Sequence, residues 1–159
     1  HAVMKQPFLL AYGVQGSLVE VDIDSGLVRL LMHWVVEDCG RVINPLLADE
    51  QLRGGVVQGL GAALFEECLY DANGQLVNGS MADYLVPMAG EMPDIIIGHV
   101  ETPVAGTLLG VKGIGEAGTI GAGAAVGNAI NDALAPFDAE ILTQPYTPQR
   151  ILQALGRVR

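Results

Sequence analysis

The sequence predicts an α+β fold in which a β-hairpin and short strands pack with two glycine-rich helices. Three observations carry this. Apolar residues cluster on both sides of a turn signal between Gly16 and Val36, and an apolar stripe recurs every fourth residue after Asn44. A glycine-rich turn beginning at Gly110 then runs into a second helix built of small residues. Composition agrees. Half of the 159 residues are apolar, yet only 5% are aromatic and 21 are glycine, which favours close backbone approach over cores of large side chains.

The elements follow in chain order. Leu18, Val19, Val21 and Ile23 lead into Asp24-Ser-Gly26, and Leu27 to Val36 supplies the return strand. Asp22 and Asp24 resemble the start of a calcium loop, but the other ligand positions and its terminal glutamate are missing, so a plain turn is expected. Asn44 is placed to cap a helix with Pro45 at its first position. Leu52, Val56, Leu60, Leu64 and Cys68 carry that helix to about Tyr70, and Asp71-Ala-Asn-Gly74 closes it.

Met81 to Pro87 and Ile95 to Glu101 read as short strands bounded by prolines. A second helix is expected from about Thr119 to Ala135, with Ile120, Val126, Ile130 and Leu134 on its apolar side and Asn128, Asn131 and Asp132 in solvent. A last helix runs from Thr147 to about Leu155.

The formal net charge of −10, with no basic cluster outside the short segment from Arg150 to Arg159, argues against a nucleic-acid partner. Cys39 and Cys68 fit no metal spacing and read as buried, reduced thiols. His33 and His99 lie in strand patterns without a second ligand, as core or edge histidines. Asp49-Glu50 and Glu66-Glu67 read as solvated helix faces.

No apolar run approaches the ~18 residues of a membrane span, and Met4-Lys5 before Pro7 to Leu10 is too short for a secretory signal, so a cytoplasmic location is expected. The chain starts at His1 and enters a strand pattern almost at once. It reads as one segment, 1–159, of a larger domain: a fragment, a processed piece or a split subunit.

Two features call for chemistry. Within the first helix Gly54, Gly55, Gly59 and Gly61 each cost roughly 1 kcal/mol against alanine, which implies another backbone or a bulky ligand on this face, or else plain tight helix–sheet packing with Gln58 at its rim. Gln58 is the polar side chain inside that cluster. The second feature is Gly113-Ile-Gly115-Glu-Ala-Gly118, where glycines remove side chains around Glu116 and allow positive φ or close approach of a ligand.

That spacing also satisfies the dinucleotide fingerprint. The preceding segment is broken by glycines, however, and Glu116 would aim a negative charge at a pyrophosphate. A carboxylate so presented can act as a general base if burial or a neighbouring anion raises its pKa. It can also simply cap its helix or pair with Lys112, and the whole chain can be an acidic interaction domain whose glycines only pack.

Val35 to Pro45, Gln51 to Leu64 and Gly113 to Leu134 together, in this order, resemble the C-terminal part of the large molybdenum-cofactor subunit of the xanthine oxidase family. That family includes aldehyde oxidases and carbon monoxide dehydrogenases. The resemblance implies that Glu116 is the base beside the molybdenum centre, taking a proton as water-derived oxygen attacks the substrate carbon. It implies that Gln58 approaches the pterin, and that Gly55, Gly115, Ala117, Gly118 and Thr119 lie at the cofactor, with no residue of this chain ligating the metal.

The Glu-Ala-Gly-Thr form of the loop is nearer the bacterial branches that use the cytosine dinucleotide form of the cofactor. The implied substrate is a small carbonyl compound or aromatic heterocycle. The implied partners are the remainder of the molybdenum subunit, which would supply most of the substrate pocket, together with iron–sulfur and flavin (FAD) subunits that carry electrons away.

Overall fold

The computed structural model describes residues 9–158. The expectation for Met4-Lys5 and the residues up to Phe8 lies outside them. Three strands form one sheet in the order β1 (Tyr12–Val21), β2 (Val28–Asp38), β3 (Ile95–His99). β1 and β2 are antiparallel, from Tyr12 opposite Asp38 to Val21 opposite Val28, with an irregularity between Leu18 and Val19. β3 runs parallel to β2. Among the described residues three α-helices pack with the sheet: α1 (Pro45–Leu64), α2 (Ala117–Leu134) and α3 (Pro148–Ala154). The α+β prediction holds.

Alternation along β2, reset by the irregularity that leaves Leu31 unpaired, sends Leu30 and then His33, Val35 and Glu37 into the interior. α2 packs against both β1 and α1. Val35, Val56, Leu60, Val126, Ile130, Leu134 and Ile151 fill the core between them. The two well-capped helices start where expected: the Asn44 side chain accepts from the Leu47 N–H, and Thr147 Oγ1 accepts from the Arg150 N–H.

The hairpin connection is longer than its apolar pattern implies, spanning Asp22 to Leu27 rather than Asp24 to Gly26. Ile23 is in the turn rather than the strand, because Asp22 accepts from the Asp24 N–H at 2.9 Å and from the Ser25 hydroxyl at 2.7 Å. Those bonds occupy the Asp22 carboxylate with the turn itself.

Helix α1 ends at Leu64, six residues short of the expected Tyr70. Asn78 causes this from a distance: it accepts from the Leu69 N–H and donates to the Glu67 carbonyl, taking backbone groups that a helix would use. Tyr70 then bridges to Leu76 around a turn held by the Asp71 carboxylate. Cys68, expected to be buried, is exposed, whereas Cys39 is buried.

Residues Met81 to Pro87 form no strand. Ser80 accepts the Asp83 and Tyr84 N–H groups and folds the segment into a turn. On α2 the buried positions are Gly118, Ala122, Val126, Ile130 and Leu134, so Ile120 faces outward, 79% exposed. Asn131 is no solvated residue either: its side chain bonds both the N–H and the carbonyl of Ile141. The acidic pairs are also engaged. Asp49 meets His99, Glu50 meets Arg53, Glu66 accepts from Tyr84, and Glu67 meets Arg150. No described helix is long and apolar enough to cross a membrane.

Candidate functional site

The glycine turn ends at the N-terminus of α2, and Glu116 stands at its N-cap position. Its side chain makes no capping bond, is exposed, and has no hydrogen-bond partner among the described residues. Lys112 does not pair with it. The Lys112 ammonium instead lies 3.0 Å from Asp38, and both side chains are buried. The capping and Lys112-pairing alternatives therefore do not describe this structure. Nor does a dinucleotide fold, since a glycine-broken loop and no β-strand leads into the turn.

Gly113 and Gly115 leave open space, with nothing within 4 Å of where a Cβ would stand. Neither has positive φ, so their contribution is the missing side chain rather than a special backbone conformation. Gly118 does the opposite job. A Cβ there would meet Leu52 O at 2.5 Å and Val56 N at 2.8 Å, and one at Gly55 would meet Gly118 Cα at 3.0 Å. These glycines let α1 and α2 cross backbone to backbone, and the Thr119 hydroxyl ties the crossing by donating to the Gly55 carbonyl. The backbone against Gly55 and Gly59 is thus α2, in helix–helix rather than helix–sheet packing, whereas Gly61 faces Glu66 and Pro87. Gly54, one residue away, faces open space with Gln58 on the following turn, also exposed.

A cleft of 410 Å³ opens beside the turn. Gly113, Gly115, Glu116 and Ala117 form one wall, and Tyr12, Gly13 and Gln15 of β1 with Glu37 of β2 form another. Glu37 is only 3% exposed, and burial, reinforced by the neighbouring Asp38 carboxylate, pushes its pKa up. Two carboxylates thus share the cleft. Gln58 and Thr119 do not line it.

The turn is held from several sides. Gln51 Nε2 donates to the Gly115 carbonyl at 2.7 Å, and Gln15 Nε2 donates to the Gly118 carbonyl at 3.0 Å. Gln15 is itself oriented by buried His33, whose Nε2 lies 3.1 Å from Gln15 Oε1 and whose Nδ1 lies 2.9 Å from Ser17 Oγ. This suits a neutral imidazole that donates to Gln15 and accepts from Ser17.

Burial lowers the His33 pKa from 6.5 to about 4. A depressed folded-state pKa stabilises the fold above the unfolded pKa and loses that contribution as pH falls through the folded one. Stability is therefore expected to drop by up to about 3 kcal/mol between pH 6.5 and 4 through this residue. Thermal unfolding of the parent and of His33→Gln across that window checks it: the variant's pH slope should be shallower.

With this geometry in place, the comparisons are decisive. The model of the molybdopterin cofactor-binding domain matches residues 3–93 of the chain. The chain belongs to the molybdopterin-binding family of molybdenum hydroxylase large subunits.

It is 44% identical over 146 residues to the large subunit of nicotine 6-hydroxylase from Paenarthrobacter nicotinovorans, covering 92% of the chain and 18% of that subunit. It is 29% identical to the carbon monoxide dehydrogenase large chain of Afipia carboxidovorans, over 88% of this chain and 17% of that one. Quinoline 2-oxidoreductase from Pseudomonas putida 86 superposes with a TM-score of 0.90 at 43% identity, covering 94% of this chain and 19% of that one. The chain thus spans about a fifth of the length of these relatives.

For this molybdopterin-binding segment, sequence reasoning singled out the turn and missed its surroundings. Gln15, Glu37 and Gln51 come from β1, β2 and α1, and only the fold brings them to residues 113–118. A buried-strand pattern with a carboxylate at Glu37 was the available signal.

Proposed function

We propose that this chain forms the part of a molybdenum hydroxylase site that carries the catalytic base, Glu116. The observation that supports the reading most is an exposed carboxylate without a partner among the described residues, between open-sided glycines, at the edge of a cleft and next to the helix crossing. A cofactor can approach such a turn closely, because no side chain of Gly113 or Gly115 stands in the way. What this chain offers the cofactor's organic part is the exposed Gln58 amide and the backbone of the turn at Gly115 and Ala117.

When bound, the molybdenum cofactor supplies the two-electron oxidant. This chain supplies the base and part of the surface that holds the cofactor. Glu116 accepts the proton of the attacking water-derived oxygen, and Gln58, on the exposed face of α1, hydrogen-bonds the pterin. Gly115 and Ala117 form the surface that the cofactor approaches, while Gly55, Gly118 and Thr119 fix the crossing beneath it.

The substrate is an aromatic nitrogen heterocycle in this reading rather than a small carbonyl compound, because nicotine and quinoline name the relatives at 44% and 43% identity. The cytosine dinucleotide form of the cofactor, iron–sulfur and FAD partner subunits, the remainder of the molybdenum subunit and a cytoplasmic complex complete the proposal, with 1–159 as one segment of the cofactor domain.

Native enzyme containing this chain tests it. Molybdenum and released cytidine nucleotide should each approach one per chain, and product formed in ¹⁸O-water should carry the label. An active assembly lacking molybdenum, or product oxygen drawn from O₂, would refute the reading.

A further inference from the structure

The Asp38–Lys112 pair holds the chain just before the turn, whereas Gln51 and Gln15 hold Gly115 and Gly118. Asp38 closes β2, and its Oδ1 accepts from Lys112 Nζ at 3.0 Å, the Gly40 N–H at 2.8 Å and the Thr102 N–H at 3.2 Å. The Lys112 N–H donates to the Cys39 carbonyl at 2.7 Å, Gly40 bridges to Val111, and the Lys112 ammonium sits 4.2 Å from the centroid of the Tyr12 ring. One carboxylate thereby joins the end of the sheet to the loop that leads into the turn.

Asp38 Oδ2 is buried without a partner among the described residues. A buried ion pair with an unsatisfied oxygen is weak support for stability, because desolvation offsets most of its attraction. What it fixes well is geometry. Only Gly113, Ile114 and Gly115 separate Lys112 from Glu116; the two glycines have no side chain to pack, and a Cβ at either would meet nothing, so the carboxylate's position is set between the Lys112 anchor and the Gln51 bond to the Gly115 carbonyl.

We propose that Asp38 and Lys112 are positioning residues for Glu116: the buried pair sets where the base stands relative to the cofactor. This rests on the reading of Glu116 as the base. Misplacing a reacting group by about 1 Å can cost on the order of a hundredfold in rate, without changing what binds.

The test uses the assembled holoenzyme. Lys112→Met alone strands a buried charge and is expected to destabilise, so the informative variant is the neutral pair Asp38→Asn with Lys112→Met. Expected are a fall in kcat of about a hundredfold, KM and molybdenum content at parent values, and amide hydrogen exchange at residues 113–116 at least about tenfold faster.

Unchanged kcat, or unchanged exchange in the turn, would overturn the proposal. So would loss of fold or of molybdenum in the neutral pair, which would assign the pair to stability. Glu116→Gln, measured alongside, separates the two claims: if it retains turnover, the base reading fails; if it loses turnover while the neutral pair stays active, only the positioning claim fails.

Discussion

Gly118→Ala is expected to destabilise the protein by about 3 kcal/mol, the upper end of the usual cost of overpacking. Its new methyl would stand 2.5 Å from Leu52 O and 2.8 Å from Val56 N, and both are backbone atoms of α1 that cannot rotate away. The two helices must separate, and the turn that begins α2 moves with them. Gly54→Ala supplies the opposite sign. That position has nothing within 4 Å, so the substitution only improves helix propensity and should stabilise by up to about 1 kcal/mol. Urea unfolding of both variants without cofactor checks the pair of signs. Equal effects at the two positions would mean that Gly118 is not required for the crossing of α1 and α2.

That contrast shows where the sequence was legible. Glycine in a helix interior announces a close approach but not its partner, so Gly54, Gly55 and Gly59 read alike although only Gly55 and Gly59 touch α2. Local chemistry was readable: Asn44-Pro45 and Thr147-Pro148 start their helices as expected, because a cap needs only its own next few residues.

What failed depended on distant groups. Helix α1 stops at Leu64 because Asn78 competes for its backbone, and no periodicity before residue 65 contains that information. Ile120 lies off the buried face that its apolar character suggests, because the crossing at Gly118 puts 118, 122, 126, 130 and 134 inside.

The candidate site divides along the same line. The turn and its acid were visible as spacing in one stretch of chain. The cleft wall at Gln15 and Glu37, the Gln51 anchor and the Asp38–Lys112 clasp join residues up to 103 positions apart, as with Gln15 and Gly118.

The claim that unites these observations is that Glu116 is the base, and Glu116→Gln in the assembled enzyme tests it most directly. Glutamine keeps the shape of the side chain but cannot take a proton at neutral pH. Because Glu116 is exposed and has no hydrogen-bond partner among the described residues, the fold should not register the change beyond about 0.5 kcal/mol. Turnover is expected to fall by about 10²- to 10⁴-fold, the usual worth of a positioned base, with molybdenum content and KM unchanged. Turnover within a fewfold of the parent at full molybdenum content would contradict the account.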